Sequence, residues 1–314
     1  TRFGNLGNIL DFENLTKDNI YVLDSPVLSN SQFEKFKTFF KNDLKILDCT
    51  FDVQSSLKER LNQLCSEAEI AVREGCKHLI LSDKKISEKK ASVPMILVFG
   101  AINSKLVNLG IRGFVSINIQ TGEVLDTHSF AVLLGVGATT INPYLVFDSI
   151  YQRYEKKLFG KFSFEECIKR YIKSVDNGLL KIMSKMGISV LSSYRGGCNF
   201  ETLGLSRAIV ADYFPGTISR ISGIGIFGIE AKIKELHKKA FQKNVSILPI
   251  GGIYRYRKNG ESHHYQGQLI HMLQEAVATN SYEIYKKYTQ NIYNLPTINL
   301  RDLLDFKKSN NIFK

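Results

Sequence analysis

His78-Leu79-Ile80-Leu81-Ser82-Asp83 is a short apolar run ending in polar residues, and it reads as a strand. What stands on either side of it decides the fold. Upstream, residues 55–74 place Leu57, Leu61, Leu64, Ala68 and Val72 on one helical face, and Gly75 stops that helix. Before that helix, Lys45-Ile46-Leu47-Asp48 begins another strand. Downstream, Phe114 to Ile119 alternates as a strand does, and Thr121-Gly122 makes a turn. Ser129 to Leu134 reads as helix ended by Gly135. Thr139-Thr140-Ile141-Asn142 is a short strand stopped by Pro143. Met95-Ile96-Leu97-Val98 fits either a strand or a helix running on from Pro94. Strands and helices in alternation, with polar or glycine residues after each strand, form the α/β pattern. A spacing of roughly 20–35 residues per unit suits a barrel or a barrel-like parallel sheet. The expected architecture is therefore α/β, with mostly parallel strands and helices arranged like an incomplete (β/α) barrel. Ligand sites in such folds lie past the carboxyl ends of the strands.

The rest of the chain extends this frame. Residues 1–20 are rich in Gly and Asn and read as a shaped loop. Tyr21-Val22-Leu23 is a strand candidate, and Ser29 is a good N-cap for a helix over Gln32 to Phe40. Lys84 to Ser92 is a charged loop. Residues 164–186 form a long amphipathic helix with Ile168, Ile172, Val175, Leu179, Ile182 and Met186 inward. Ile188 to Ser192 is expected as a strand opening into Tyr194-Arg195-Gly196-Gly197. Residues 227–243 read as a basic helix, 268–290 as another, and 299–308 as a last short one.

Composition narrows the function classes. The 314 residues carry 42 Lys and Arg against 30 Asp and Glu, a formal charge of +12, with 44% hydrophobic residues. That excludes intrinsic disorder, and 23 Gly with 6 Pro exclude collagen-like chains. A chain of this length buries a core without disulfides or metals, and at about 150 residues per domain it predicts two domains. No apolar run reaches the ~18 residues of a membrane span, so no membrane is expected as a partner. The five cysteines Cys49, Cys65, Cys76, Cys167 and Cys198 include no CxxC pair, which points to a reduced intracellular compartment. The positive charge is mostly lysine in short runs such as Lys84-Lys85 and Lys238-Lys239, with acidic residues among them. It reads as solvated surface, so no nucleic acid is expected as a partner. Tyr254-Arg255-Tyr256-Arg257 reads as an edge strand. The chain begins with Thr1 rather than Met, as if cut from something larger or processed; a segment boundary outweighs an N-terminal nucleophile.

Three local patterns invite a site. Gly223-Ile224-Gly225-Ile226-Phe227-Gly228 fits GxGxxG ahead of a helix, the setting of a dinucleotide fingerprint. The acidic residue that should follow about 20 residues on is missing, so close backbone approach at a turn is the stronger reading. His263, His264 and His271 lie near Glu261, but adjacent histidines diverge in a strand; no metal site is expected. Arg195, after a strand and before Gly196 and Gly197, is the best site signature. It would hold a phosphate or carboxylate, or pin a loop by pairing with Asp212 or Glu201.

Longer phrases carry a resemblance. TRFGNLGNIL at Thr1–Leu10, SPVLSN at Ser25–Asn30, INPYLVFD at Ile141–Asp148 and GLLKIMSKMGIS at Gly178–Ser189 come first. SYRGG at Ser193–Gly197, FPGTISRISGIG at Phe214–Gly225 and RDLLDFK at Arg301–Lys307 follow. In this order, over essentially the whole chain, they resemble the glutamate synthase large subunit, through its central domain and the approach to its FMN domain. The opening is closer to the bacterial-type, NADPH-dependent enzymes than to the ferredoxin-dependent ones. The sequence departs from the family at Ile102-Asn103-Ser104-Lys105, often a histidine run, and at Gly135-Val136-Gly137-Ala138, often GYGA. Both read as packing positions.

The resemblance implies a flavoenzyme in which a glutaminase with a cysteine nucleophile releases ammonia from glutamine. The ammonia travels through a tunnel to the FMN domain, where 2-oxoglutarate becomes glutamate. FMN and an iron–sulfur cluster carry the electrons, supplied by NADPH or ferredoxin through a small subunit or fused domain. It implies residues 1–20 as a loop from the glutaminase side, 21–240 as the central domain, and 241–314 as linker and start of the FMN domain. Cytoplasm or plastid is the implied location. The glutaminase and FMN domains of the same polypeptide are the implied partners. No catalytic residue and no bound cofactor is expected in this chain, since no cysteine group has cluster-like spacing and the flavin-binding parts would follow Lys314. A tunnel for ammonia needs neutral walls, because ammonia meeting bulk water protonates and is lost. The uncharged segments Gly4–Asn8 and Ser25–Asn30 fit that need. Asn5, Asn8, Ser25, Ser29 and Asn30 are the expected tunnel or interface residues, with domain-interface loops as the plainer alternative. The rival function is an autonomous flavin- or nucleotide-binding barrel oxidoreductase, which would bind FMN on its own.

Overall fold

The computed structural model describes residues 2–3, 10, 20–242, 250–253 and 255–305. The chain divides into two compact units, 1–241 and 242–314. In the first unit the order begins β1 (Arg2–Phe3), β2 (Tyr21–Val22), α1 (Asn30–Phe39), β3 (Leu44–Asp48), β4 (Thr50–Asp52), α2 (Leu57–Arg73) and β5 (His78–Ser82). It continues with β6 (Lys90–Ser92), α3 (Met95–Asn108), β7 (Ser116–Gln120), α4 (Thr127–Gly135), β8 (Thr140–Asn142) and α5 (Tyr144–Glu155). Then come α6 (Phe164–Lys185), α7 (Leu191–Tyr194), β9 (Glu201–Leu205), α8 (Arg207–Tyr213), β10 (Ile218–Ile224) and α9 (Ile226–Ala240). The second unit holds α10 (Gly267–Ala278) and α11 (Tyr282–Tyr293).

The organising element is the four-stranded sheet β3-β5-β7-β8, parallel throughout. Each strand lies beside the next in chain order, and α2, α3 and α4 connect them in turn. This is the succession of a (β/α) barrel, opened out: an α/β sheet that does not close. Beyond β8 the chain adds one more parallel contact, Val27 with Ile141. Leu28 N–H donates to the Ile141 carbonyl at 2.9 Å, and Ile141 N–H to the Pro26 carbonyl at 2.9 Å.

The two faces of this sheet differ because side chains alternate along each strand. Leu79, Leu81, Ile117, Ile119 and Ile141 point into the main core, where they meet Leu61, Leu64 and Ala68 of α2, Val98 and Ile102 of α3, and Phe130 and Leu134 of α4. Ile80 points the other way, into a second cluster with Phe33, Phe36 and Phe40 from α1 and its end, and with Phe3, Leu23 and Leu28. Helix α1 begins as expected: the Ser29 hydroxyl accepts from Gln32 N–H, and the Gln32 side chain accepts from Ser29 N–H, a reciprocal cap.

Several local expectations are corrected. Of the two readings open at Met95, the helix from Pro94 onward is the one found, Met95–Asn108; 14 residues are too long for a strand between these neighbours. Ile188–Ser192 is not a strand. One turn of helix, α7, takes its place. In α6 the inward place expected of Met186 belongs to Met183; Met186 sits at the C-cap and is exposed. The expected helix 268–290 is two helices, since Asn280 takes a left-handed φ of 50° and Ser281 caps α11. Arg255, Tyr256 and Arg257 form no strand; Tyr254 lies outside the described residues. Of 299–308, only Leu300–Leu303 is helical among the described residues, as a 3₁₀ turn. The charged loop 84–92 ends in β6, paired with β4.

Strands β9 and β10 form a separate parallel pair. The GxGxxG stretch is the end of β10 and the start of α9. A Cβ at Gly223 would collide with the backbone of Gly204 on β9. The glycine is thus required by close strand approach, the packing role that the sequence reading preferred over a cofactor fingerprint. Gly223→Ala is expected to lower stability by about 2 kcal/mol as overpacking against backbone. A thermal melt checks this; the loss corresponds to a Tm drop of about 4–8 °C.

Candidate functional site

Parallel sheets covered on both faces usually read as continuous apolar runs. Here one face carries buried polar side chains instead: Ser82, Asn118, Gln120, Thr140 and Asn142. A buried polar group must find a partner, and these find one another across the strands. Near the middle of the sheet, Thr140 Oγ1 donates to Asn118 Oδ1 at 2.7 Å, and Asn118 Nδ2 donates to Ser116 Oγ at 3.0 Å. Ser116 Oγ also meets His78 Nδ1 at 2.8 Å.

The carboxyl ends carry a second row. Ser82, Gln120 and Asn142 stand in register on β5, β7 and β8. Ser82 Oγ donates to Gln120 Oε1 at 2.8 Å, and Gln120 Nε2 to Asn142 Oδ1 at 3.1 Å. Asn142 Nδ2 then donates to the Leu28 carbonyl at 2.9 Å and to Asn30 Oδ1 at 3.0 Å. The result is a neutral ladder of hydroxyl and amide groups that leaves the interior and ends at Asn30, which is exposed. Directly after Ser82, Asp83 is fully buried. Its carboxylate accepts from Thr121 Oγ1 at 2.5 Å and from Gly122 N–H at 3.1 Å, with the Tyr144 hydroxyl as a further partner. Burial pushes the Asp83 carboxyl up, and these donors hold it down.

The residues singled out from the sequence fall as follows. Asn30 ends the ladder. Ser29 caps α1, and Ser25 Oγ donates to Asp176 Oδ1 of α6 at 2.7 Å while accepting from Val27 N–H at 3.0 Å. The Ser25–Asn30 segment is thus fastened to α6, to β8 and to the ladder. Asn5 and Asn8 lie outside the described residues. Arg195 lies apart from the ladder. Its Nη2 donates to the Thr139 carbonyl at 2.7 Å, and Gly196 N–H donates to the Gly135 carbonyl at 2.8 Å. Burial, then the neighbouring Arg112 guanidinium, draw Arg195 down to about 10. Glu201 bonds Arg220 at 3.2 Å. Gly196 borders a mostly apolar cleft of about 430 Å³ with Phe200, Leu205 and Phe214. Ile102 is buried, Asn103 accepts from Arg112 at 2.7 Å, and Ser104 donates to the Tyr213 carbonyl at 3.1 Å.

Sequence reasoning missed Ser82, Gln120 and Asn142. The signal was present in Ser116-Ile117-Asn118-Ile119-Gln120, where every second residue of a covered strand is polar.

Chemically, the described residues offer no group of three or more His, Cys, Asp or Glu side chains that could hold a metal. All five cysteines are free thiols. Burial pushes Cys49 far up and Cys65 to about 11, so neither is a ready thiolate ligand or nucleophile. An iron–sulfur cluster does not fit these residues. Among the described residues no helix is long and apolar enough to cross a membrane.

Comparison with known proteins agrees with the resemblance read above. A family model described as the glutamate synthase central domain matches residues 1–206. The chain is 47% identical to the NADPH glutamate synthase large chain of Azospirillum brasilense over 98% of this chain and 20% of that protein. It is 38% identical to the NADPH large chain of Bacillus subtilis over 85% of this chain and 18% of that one. It is 35% identical to the ferredoxin-dependent chloroplastic enzyme of Spinacia oleracea over 97% of this chain and 20% of that one. The chain thus spans about a fifth of the length of these relatives.

Proposed function

The chain belongs to the glutamate synthase family through that family's central domain, and on that premise we propose that it joins a glutaminase domain to an FMN domain and lines part of the ammonia route between them. The full enzyme would convert glutamine and 2-oxoglutarate to two glutamates, drawing on FMN, an iron–sulfur cluster and NADPH or ferredoxin; the 47% identity to the NADPH enzyme of Azospirillum brasilense, against 35% to the ferredoxin-dependent enzyme of Spinacia oleracea, favours NADPH. Residues 241–314 would lead into the FMN domain. The segment alone would be inactive, and the enzyme would work in cytoplasm or plastid. Arg195, Gly196 and Gly197 would hold a loop in place rather than bind an anion, as the carbonyl partners of Arg195 and Gly196 suggest.

The observation that carries the tunnel role is the neutral ladder from Ser82 to Asn30. Ammonia needs hydrogen-bonding partners without charge, since a charged wall would hold ammonium or draw in water. Asn30 offers such a partner at the exposed end of the ladder, Ser82, Gln120 and Asn142 hold it in place from the interior, and the uncharged Ser25–Asn30 segment is fixed beside them. The rival reading, an autonomous flavin- or nucleotide-binding oxidoreductase, draws less support from its GxGxxG motif, since the Gly223–Gly204 approach accounts for that glycine by packing.

Asn30→Trp in the full-length enzyme tests the reading. Asn30 is exposed, so the fold accepts the larger side chain. Glutamine hydrolysis should continue while glutamate formed per glutamine hydrolysed falls about tenfold, the effect of misplacing a transfer path. Unchanged coupling would remove the tunnel role and leave this edge as a domain interface.

A further inference from the structure

The amide ladder has a direction, and one contact fixes it. Asn142 Nδ2 lies 2.9 Å from the Leu28 carbonyl, which can only accept. That sets the Asn142 amide, so its Oδ1 faces Gln120 and accepts from Gln120 Nε2 at 3.1 Å. Gln120 Oε1 is then left to accept, and the Ser82 hydroxyl donates to it at 2.8 Å. On the other side Asn142 Nδ2 gives its second hydrogen to Asn30 Oδ1 at 3.0 Å. Every group in the row donates toward Asn30. The row ends in the Asn30 NH₂, whose hydrogens have no acceptor among the described residues. Hydrogen bonds in such a chain polarise one another, and that strengthens the last donor.

A donor end distinguishes the two forms of ammonia. The neutral molecule has a lone pair and accepts from an N–H. Ammonium has four N–H bonds and no lone pair, so it can only donate. We propose that Asn30 Nδ2 is a specificity-determining contact that receives ammonia as the neutral molecule and rejects ammonium. This rests on the reading above, that the Asn30 edge faces the ammonia route.

The test uses the full-length enzyme and measures glutamate formed per glutamine hydrolysed as a function of pH. Asn30→Asp has nearly the same size and can still accept from Asn142, but it presents a carboxylate oxygen outward. Coupling should fall about tenfold through a charge-assisted bond to trapped ammonium. The defect should deepen as the pH is lowered and the ammonium fraction rises. Asn30→Gln, which still ends in an NH₂ but displaces it by one methylene, should lose less coupling than Asn30→Asp, and that loss should be flat with pH. If Asn30→Asp couples like the parent while Asn30→Trp uncouples, the donor proposal fails and the tunnel reading stands. If Asn30→Trp also couples normally, the tunnel reading itself fails. Equal losses in Asn30→Asp and Asn30→Gln, flat with pH, would show a purely structural role and overturn the proposal.

Discussion

Replacing Asn142 with Leu should cost the fold about 4 kcal/mol, because it orphans buried partners on both sides. Leu matches Asn in size, so little cavity is made; the loss is one of hydrogen bonding. Asn142 is fully buried and makes contacts to Gln120, to the Leu28 carbonyl and to Asn30. Asn30 is exposed and regains water. Gln120 Nε2 and the Leu28 carbonyl are buried in residues that water does not reach, and each unsatisfied group costs about 1–3 kcal/mol. Ser82→Ala, at the far end of the same ladder, should cost only about 1 kcal/mol. Urea unfolding curves of the two variants beside the parent decide the matter. Equal, small losses would mean that the ladder is wet and contributes little.

Acid should weaken the first unit through His78, by about 3 kcal/mol between pH 7.5 and 4. The ring is packed among Phe40 at 3.9 Å, Phe36 at 5.6 Å and Phe3 at 5.7 Å, and it is 6% exposed. Burial lowers its pKa from 6.5 to about 4, while Asp43 raises it and Lys77 lowers it by smaller amounts. The sign follows from proton counting. Between pH 6.5 and about 4 the unfolded chain holds a proton on His78 that the folded chain refuses. Stability therefore rises with pH across that window and is lost as pH falls through it. His78→Phe keeps an aromatic ring in the box and removes the titration. Ser116 retains its bond from Asn118. The difference in melting temperature between parent and variant should widen steadily below pH 6.5. Parallel pH profiles would assign the acid sensitivity to carboxylates elsewhere.

Much of the architecture was legible because alternation and helical spacing are local signals. His78–Ser82 and Ser116–Gln120 show their two faces in the order of their residues, and α2 shows its stripe from Leu57 to Val72. The helix α3 was ambiguous because residues buried all round have no periodicity to read. Ile188–Ser192 has strand-like residues, but a strand forms only where cross-strand and same-face neighbours pack against it, which no local pattern states. The break between α10 and α11 was written in Asn280-Ser281, a left-handed stop followed by a cap. The candidate site was half legible. Ser29 and Asn30 stand out as an uncharged cap segment. Their connection to Ser82 and Gln120 depends on register across contacts separated by 22, 38 and 112 residues, and no spacing rule yields that.

The bond from Asn142 to Leu28 spans 114 residues of chain. On a ribosome working at about 5–20 residues per second, Leu28 emerges roughly 6–23 s before the side chain that fastens it. Until then the strip beside the sheet has neither its neighbour Ile141 nor its amide anchor. Helix α1 can already close Phe33 and Phe36 on Ile80 and His78 of β5, so what waits for β8 is the Val27–Leu28 strip. Synthesis thus leaves the strip from Pro26 to Asn30 without its anchor until β8 arrives. Early release of a chain truncated before Asn142 should yield aggregate rather than a smaller folded body.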